Sequence, residues 1–333
     1  MTLTCTETAA NQYLFMENTI FINRALHFII LAMLIGCSSA NQRTNKMFVE
    51  FEGSEQLKDY PSGSTISFYQ NQLYLMGDDA SSLMVLNTDL TVKEEIRFFA
   101  GDTERILKTQ KADIESSEWI PDEHKSNLWL FGSGSLSPQR DSAFRFDPET
   151  KSIERINLSP FYETLRQSGI RDLNIEGAAL VKSTLIFGSR GNLTNKQNHF
   201  IQTSFSDLSG GKTPRVISLN LPDGMGISGM SYLKDQDLLL LTTSTENTAT
   251  AYDDGEIGES GLGVIYRFSE KLSDSEIGAD EWIVLSALNA SFKGQKIESI
   301  CTLDINTDGS ISAIMVSDDD QGTTRLFRLK LRF

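Results

Sequence analysis

The sequence predicts an all-β fold arranged as a propeller, with five four-stranded blades around a channel and six as the alternative if one copy has decayed. Three observations point there. The first is a short text that recurs: Asn174-Ile175-Glu176-Gly177 is echoed by Asp113-Ile114-Glu115-Ser116 and Lys296-Ile297-Glu298-Ser299. Gly226-Ile227-Ser228-Gly229 and Thr65-Ile66-Ser67 are weaker copies. The second is that each copy leads into an apolar run and then a loop rich in Gly, Ser, Thr or Asp. Units of roughly 40–70 residues with four strands each are the mark of propeller blades. The third is an imbalance at the ends. The last unit stops one strand short, while residues 47–51 form a surplus strand before the first unit. Pairing the two ends closes the ring and removes sheet edges that otherwise invite aggregation.

Each blade is legible as short alternating or apolar runs between turn residues. Blade 1 covers residues 64–99, with turns at Gln70-Asn71, Gly77-Asp78-Asp79 and Asn87-Thr88-Asp89. Blade 2 runs from Asp113 to Leu158, with Asp147-Pro148-Glu149-Thr150 as a strong turn. Blade 3 spans residues 173–221. In blade 4, strands at 227–233 and 238–241 precede a long polar loop expected over 242–260. Strands at 263–268 and 282–285 then complete the unit. Blade 5 holds strands at 297–303, 311–316 and 324–331. Residues 161–167 read as the one helix, with Ser159 as its cap and Pro160 at its first position. A β-sandwich or a pair of small barrels is the competing architecture, but neither explains reuse of the same acidic residue.

The chain has 333 residues, 39% hydrophobic and 23% charged, which is the composition of a folded protein. Its net charge of −15 excludes nucleic acid as an expected partner, because phosphate affinity rests on clustered Lys and Arg. Three domains are expected: a signal peptide over 1–36, a tether over 37–46 and the propeller over 47–333. Arg24 precedes the apolar run 25–35, which at roughly eleven residues suits a signal peptide. It is too short for a membrane span of about 20 residues. Residues 1–15 carry no basic residue, so Met16 is the expected true start. Leu34-Ile35-Gly36-Cys37 resembles the bacterial lipobox, which implies cleavage before Cys37 and acylation of its thiol. The expected location is the bacterial cell envelope, with the lipid bilayer as partner through Cys37. Of the three cysteines, only Cys301 falls in the folded domain, so no disulfide framework exists and Cys301 reads as a small core residue.

Aligning the copies puts Ser67, Glu115, Glu176, Ser228 and Glu298 at equivalent positions around the channel. Asp78, Asp79, Lys111, Asp113 and Arg190 belong to the same rim, since strand one begins where strand two ends. Ser133, Ser189, Ser244, Asp318 and Asp319 occupy corresponding loops. Converging carboxylates repel one another and need cations, protons or distance. A hard cation such as Ca²⁺ satisfies oxygen ligands of this kind. Three readings are open: a structural ring of Glu paired with Lys111, Arg171, Arg190 and Lys296; a divalent cation on Glu115, Glu176 and Glu298; or an organic ligand or catalysis. His27, His124 and His199 show no metal spacing. Asp253-Asp254-Gly255-Glu256 and Asp318-Asp319-Asp320 lack the ligand spacing of a calcium loop.

The segment Asn174-Ile175-Glu176-Gly177-Ala178-Ala179-Leu180 resembles the inner-strand signature of bacterial phytase-like and esterase-like propellers. Residues 77–83 with Lys111-Ala112-Asp113-Ile114-Glu115 are similar to propeller lipoproteins of unassigned activity. The first resemblance implies carboxylates that hold calcium, and Glu115, Glu176 and Glu298 are the positions that carry it over. Ser67 and Ser228 stand in the other two blades. The expected function is a membrane-anchored propeller that binds a ligand or partner at the channel mouth, with or without a divalent cation. The alternative is a calcium-dependent phytase-like or esterase/lactonase-like hydrolase.

Overall fold

A computed structural model describes residues 46–333 apart from 102, 123, 124, 247, 253, 254 and 319–321. The expected signal peptide, Cys37 and the tether up to residue 45 lie outside the described residues, as do His124, Asp253, Asp254, Asp319 and Asp320. The described chain is a five-bladed β-propeller. It opens with β1 (Phe48–Leu57). Blade 1 comes next as β2 (Gly63–Tyr69), β3 (Gln72–Gly77), β4 (Ser82–Asn87) and β5 (Val92–Arg97). Blade 2 is β6 (Ile114–Pro121), β7 (Ser126–Gly132), β8 (Ser142–Phe146) and β9 (Ile153–Asn157). Blade 3 is β10 (Ile175–Val181), β11 (Thr184–Ser189), β12 (Asn198–Ser204) and β13 (Arg215–Asn220).

Blade 4 takes β14 (Gly226–Leu233), β15 (Leu238–Glu246) and β16 (Ile257–Tyr266), then lends β17 (Glu276–Gly278) to blade 3 before finishing with β18 (Glu281–Val284). β17 lies parallel to β13 as a fifth strand. Blade 5 is β19 (Lys296–Ile305), β20 (Ile311–Asp318) and β21 (Thr324–Arg332), and its outermost strand is β1. The pairing runs antiparallel from Phe48↔Arg332 to Leu57↔Thr324, so the two ends close the ring as expected. The innermost strands β2, β6, β10, β14 and β19 pack each against the next, and β19 returns to β2.

Burial explains why the blades are readable in sequence. Inner strands are covered on both faces; in β10 every residue but Leu180 is buried. The outermost β5, VKEEIR, has no buried residue. Five hydrophobic clusters result, one in each interface between neighbouring blades. A stacked aromatic pair, Phe292 on Phe327 with ring centres 4.4 Å apart, fills the cluster between blades 4 and 5. Where inner strands meet most closely only glycine fits: a Cβ on Gly177 would lie 2.7 Å from Met230 Cγ of blade 4.

Three local expectations need correction, the first being the single helix, since short helices also form at Phe268–Lys271 and Leu285–Leu288. Residues 242–246 and 257–260 belong to β15 and β16, so the polar loop of blade 4 is confined to the stretch between them. Thr242, Thr243, Ser244 and Ser260 are polar yet buried, because they line the inner end of the blade, and β-branched Thr suits a strand. The helix α1 (Ser159–Gln167) begins earlier than expected, with Leu158 as its N-cap. No side chain of the cap residue bonds; Asn157 Oδ1 instead accepts from the Ser159 N–H at 3.0 Å. Phe161, Tyr162 and Leu165 bury one face of α1 between blades 2 and 3.

Candidate functional site

Every inner strand carries a β-bulge at the same place. Pairing passes from Gly63↔Gly77 to Thr65↔Met76 in blade 1 and skips Ser64. It skips Glu115 in blade 2, Glu176 in blade 3, Ser228 in blade 4 and Glu298 in blade 5. A bulged residue leaves the ladder and its side chain is re-aimed, which is how Glu115, Glu176 and Glu298 are turned toward the channel mouth. The recurring text is therefore a bulge signal. In blade 1 the equivalent residue is Ser64, and Ser67 is corrected to a position three residues further along. Ser67 accepts a 3.1 Å hydrogen bond from Trp119 Nε1 and does not line the mouth. The error arose because Gly63-Ser64 lacks the isoleucine that marks the other four bulges.

Four of the five bulged side chains, those of Ser64, Glu115, Glu176 and Glu298, meet in a cavity of about 60 Å³ at the mouth. It is lined by Asp78, Asp113, Glu115, Glu176, Glu246, Glu298 and Asp318 among the acids, and by Lys108, Lys111, Arg140 and Lys296 among the bases. Arg190 stands behind Glu246, with Nη2 at 3.6 Å from Oε2. Seven carboxyl groups face five basic groups, so the acids outnumber the bases by two. Ser62, Ser64, Asn174, Ala251 and Tyr252 complete the wall.

Two halves share the cavity. On the side of blades 1 and 2, Lys111 bridges Asp78 and Asp113, with 2.8 Å to Asp113 Oδ1. Arg140 Nη1, with only 3% of its side chain exposed, lies 2.6 Å from Asp113 Oδ2, and Ser133 donates to the same carboxylate. Burial alone would raise the Asp113 carboxyl; Lys111 and Arg140 outweigh it and hold the group below the ordinary range. Burial raises Asp78, and the Lys111 pair only partly offsets this. Glu115 accepts a hydrogen bond from Ser64 Oγ. Among the described residues no Lys or Arg comes within ion-pairing distance of Glu115. Burial, then the charges of Glu176, Asp113, Asp78 and Glu298, push its carboxyl well above the usual value.

On the side of blades 3 to 5, Lys296 Nζ reaches Glu298 Oε1 at 2.9 Å and Glu246 Oε2 at 3.3 Å. Arg190 also donates to Ser244 Oγ at 2.9 Å and to the Ser244 carbonyl at 3.0 Å. Glu176 accepts from Asn174 Nδ2 at 2.6 Å. Burial lifts Glu176 to about 8 against the pull of Arg190, and it raises Glu298 as well. Glu246 is held low despite burial, because Lys296 and Arg190 both pair with it. The cavity thus shifts Glu115 and Glu176 toward the protonated form, Glu176 to about 8, while Asp113 and Glu246 are held toward the charged form. Two buried acceptors facing this network lack a hydrogen-bond partner: Asp78 Oδ1 and Glu298 Oε2.

The remaining expected residues divide cleanly. Asp79 is buried beside the mouth but clamped by Arg105, with Nε at 2.8 Å and Nη2 at 2.6 Å. Ser228 occupies the equivalent bulge but turns its hydroxyl to the Ile297 carbonyl at 2.6 Å. Arg171 is exposed and joins no ion pair among the described residues. The three glutamates Glu115, Glu176 and Glu298 share the cavity, yet the carboxylates whose oxygens approach within 4.8 Å of one another are Asp78, Asp113 and Glu115. Lys108, Arg140, Glu246 and Tyr252, with Ser62 and Ser64, are the site residues that sequence reasoning missed. Glu246 had a signal, since it continues the Thr-Thr-Ser-Thr run of β15 beyond its expected end. Cys301 is buried in its strand, and burial pushes its thiol up to about 12, as suits an inert core residue.

Solved structures similar in shape include the glutaminyl cyclase of Myxococcus xanthus, at 10% identity and TM-score 0.49, over 86% of this chain and 98% of that one. A member of the duf4221 family from Bacteroides vulgatus matches at 10% identity and TM-score 0.41, over 87% and 99%. Hydrazine synthase of Kuenenia stuttgartiensis matches at 13% identity and TM-score 0.38 over 80% of this chain, which spans 59% of that longer chain. Likeness at this level carries nothing about activity. No curated protein matches the chain in sequence. Residues 59–331, from the approach to blade 1 to the end of blade 5, match the model of a family described as a family of unknown function, DUF6929, and the chain belongs to that family.

Proposed function

We propose that this propeller is a binding protein that captures a cation at the mouth of its channel, with a divalent ion such as Ca²⁺ as the simplest occupant. The observation that carries the reading is that carboxyl groups outnumber bases by two in a small cavity, with no Lys or Arg at ion-pairing distance from Glu115 among the described residues. Asp78, Asp113 and Glu115 offer an all-oxygen donor set of the kind a hard cation takes. The fit has a condition. Lys111 bridges Asp78 and Asp113, so a metal ion there exchanges with its ammonium group. Thermal melts of the full chain with Ca²⁺ and with EDTA test the reading. At a free ion concentration of about 100 times Kd the expected stabilisation is about 2.7 kcal/mol. Glu115→Gln is expected to remove the shift, and a melting temperature unmoved by either addition in the wild type would sink the metal site.

A calcium-dependent hydrolase of esters or phosphate esters is the second reading. The raised carboxyls of Glu115 and Glu176, the latter at about 8, favour it, because an acid that holds its proton toward neutral pH is what general acid catalysis uses. Against it stands the volume of about 60 Å³, room for roughly two water molecules. Hydrolysis of p-nitrophenyl phosphate or acetate that needs Ca²⁺ and is lost in Glu176→Gln would favour the enzyme. A lipid anchor at Cys37 and a place in the bacterial cell envelope belong to the same proposal and rest on Leu34-Ile35-Gly36-Cys37. Cys37→Ser is expected to move the protein out of the membrane fraction; unchanged fractionation would refute the anchor.

A further inference from the structure

We infer that the protein has a second binding site, for a small polyhydroxylated anion such as a sugar phosphate or a sugar acid, at the end of blade 3 away from the mouth. β10 carries Glu176 at the mouth and runs to Val181, so the turn that follows lies at the opposite end of the blade. A cavity of about 600 Å³ opens beside that turn and shares no lining residue with the mouth. Its volume is that of a small-molecule site. The inference is independent of the cation reading.

Strand register builds the wall. Ser204 of β12 pairs with Thr184 of β11, and Gln202 of β12 pairs with Arg215 of β13. Gln202 and Ser204 are two residues apart, so all four side chains stand on one face of the blade. Val181, opposite Thr184 in β10, extends the row. Val181 and Phe200, the latter two residues before Gln202, belong to the cluster between blades 3 and 4, so this face is turned toward blade 4. There Ser269, Leu272 and Ser273, in and just after the short helix Phe268–Lys271, supply the facing wall.

Charge and hydrogen bonding select the ligand. Lys182, Lys212 and Arg215 line the cavity with a single acid, Asp207, in a chain whose net charge is −15. Lys182 joins no ion pair among the described residues. Asp237, the acid that feels its charge, is taken up by Ser269 and Tyr232. Arg215 donates to the carbonyls of Ser273 and Asp274, which satisfy its N–H groups without neutralising it. Lys212, with 77% of its side chain exposed, stands 3.6 Å from Asp207, a loose pair that a ligand can recruit. An anion is the charge this cavity lacks. Gln202 also lines it, and its Oε1 is buried without a hydrogen-bond partner. An amide oxygen only accepts, so its partner must be a donor. An ionised phosphate or carboxylate has none to offer, whereas a hydroxyl does. One ligand that satisfies both demands carries its charge to the lysines and a hydroxyl to Gln202.

Isothermal titration of the full chain at low ionic strength with D-glucose 6-phosphate, D-glucuronate, D-glucose and inorganic phosphate tests this. At least one sugar anion is expected to bind tenfold or more tightly than both glucose and inorganic phosphate, and the tighter of the two identifies the anionic group. Lys182 sits at φ 58°, a left-handed conformation that asparagine tolerates. Lys182→Asn is expected to lower the affinity for the sugar anion at least fivefold. Lys212→Gln, at an exposed position, provides the same reading should the first variant misfold. Gln202→Leu is expected to bring the sugar anion down toward inorganic phosphate while leaving phosphate itself unchanged. Sugar anions that bind no better than inorganic phosphate, or no better than glucose, overturn the inference. An affinity untouched by Lys182→Asn and Lys212→Gln overturns it as well, since the binding then lies elsewhere.

Discussion

Replacing Glu176 with Gln removes one carboxyl from the channel mouth and should change how stability depends on pH. Burial holds this group at about 8 in the folded protein, against an ordinary value of 4.5. The folded state therefore keeps its proton through a range in which the unfolded chain has already released it. Stability that derives from this proton is fully present below pH 4.5 and is lost as pH rises toward 8. Taken alone, the difference is worth at most about 5 kcal/mol, at about 1.4 kcal/mol per pH unit. Glu115, Glu298, Glu246, Arg190 and Lys296 share the same charges, so roughly half of that, about 2–3 kcal/mol, is the expected share of Glu176. Urea denaturation of wild type and Glu176→Gln at intervals from pH 5 to 9 measures it. The wild type should lose about 2–3 kcal/mol more than the variant across the window, and the variant should be the more stable protein at pH 9. His199 is shifted by burial alone and drops out of the difference, whereas Glu115 feels the Glu176 charge and is part of the share that is measured. Curves that run parallel would refute the claim that Glu176 is held neutral by its surroundings.

Two further predictions concern the frame that positions the mouth. A Cβ at Gly132 would sit 2.5 Å from the Arg140 carbonyl oxygen and 2.6 Å from that of Ala112, both backbone atoms that cannot swing aside. Gly132→Ala is expected to lower stability by about 1–3 kcal/mol or more, read as a fall in the denaturation midpoint; an unchanged midpoint would show that this close approach is absent. Phe327→Ala empties the space beside Phe292 in the cluster between blades 4 and 5 and should remove about 3–5 kcal/mol. Phe48→Ala, on a residue 53% exposed in the closing strand, serves as the control and should change stability far less.

Five blades and their closure were readable because inner strands bury both faces and outer ones do not. β10 with its single uncovered residue and β5 with none buried are the two extremes of that gradient. The same physics made Ile-Glu a register mark, since the isoleucine must pack between blades and the next residue is bulged out. It also explains the slip in blade 1. Gly63 has no side chain to pack, because Thr324 occupies the space a Cβ would need, and without an apolar residue the bulge at Ser64 left no signal in the text.

What the sequence determined by itself was local and periodic: strands, turns, the repeated bulge, and hence the propeller and the three acids Glu115, Glu176 and Glu298 on its inner wall. Tertiary structure alone decided how those acids are charged. Lys111 and Arg140 hold the Asp113 carboxyl below the ordinary range, whereas Glu115 has no basic partner at ion-pairing range among the described residues and is pushed well above it. Arg140 comes from a loop, Glu246 from the far end of a strand, and Lys296 from the last blade, so their meeting has no pattern along the chain. Ring closure brings them within a few ångströms. At that range, out of water, charge balance is set by which neighbours are present, and only the closed propeller specifies them.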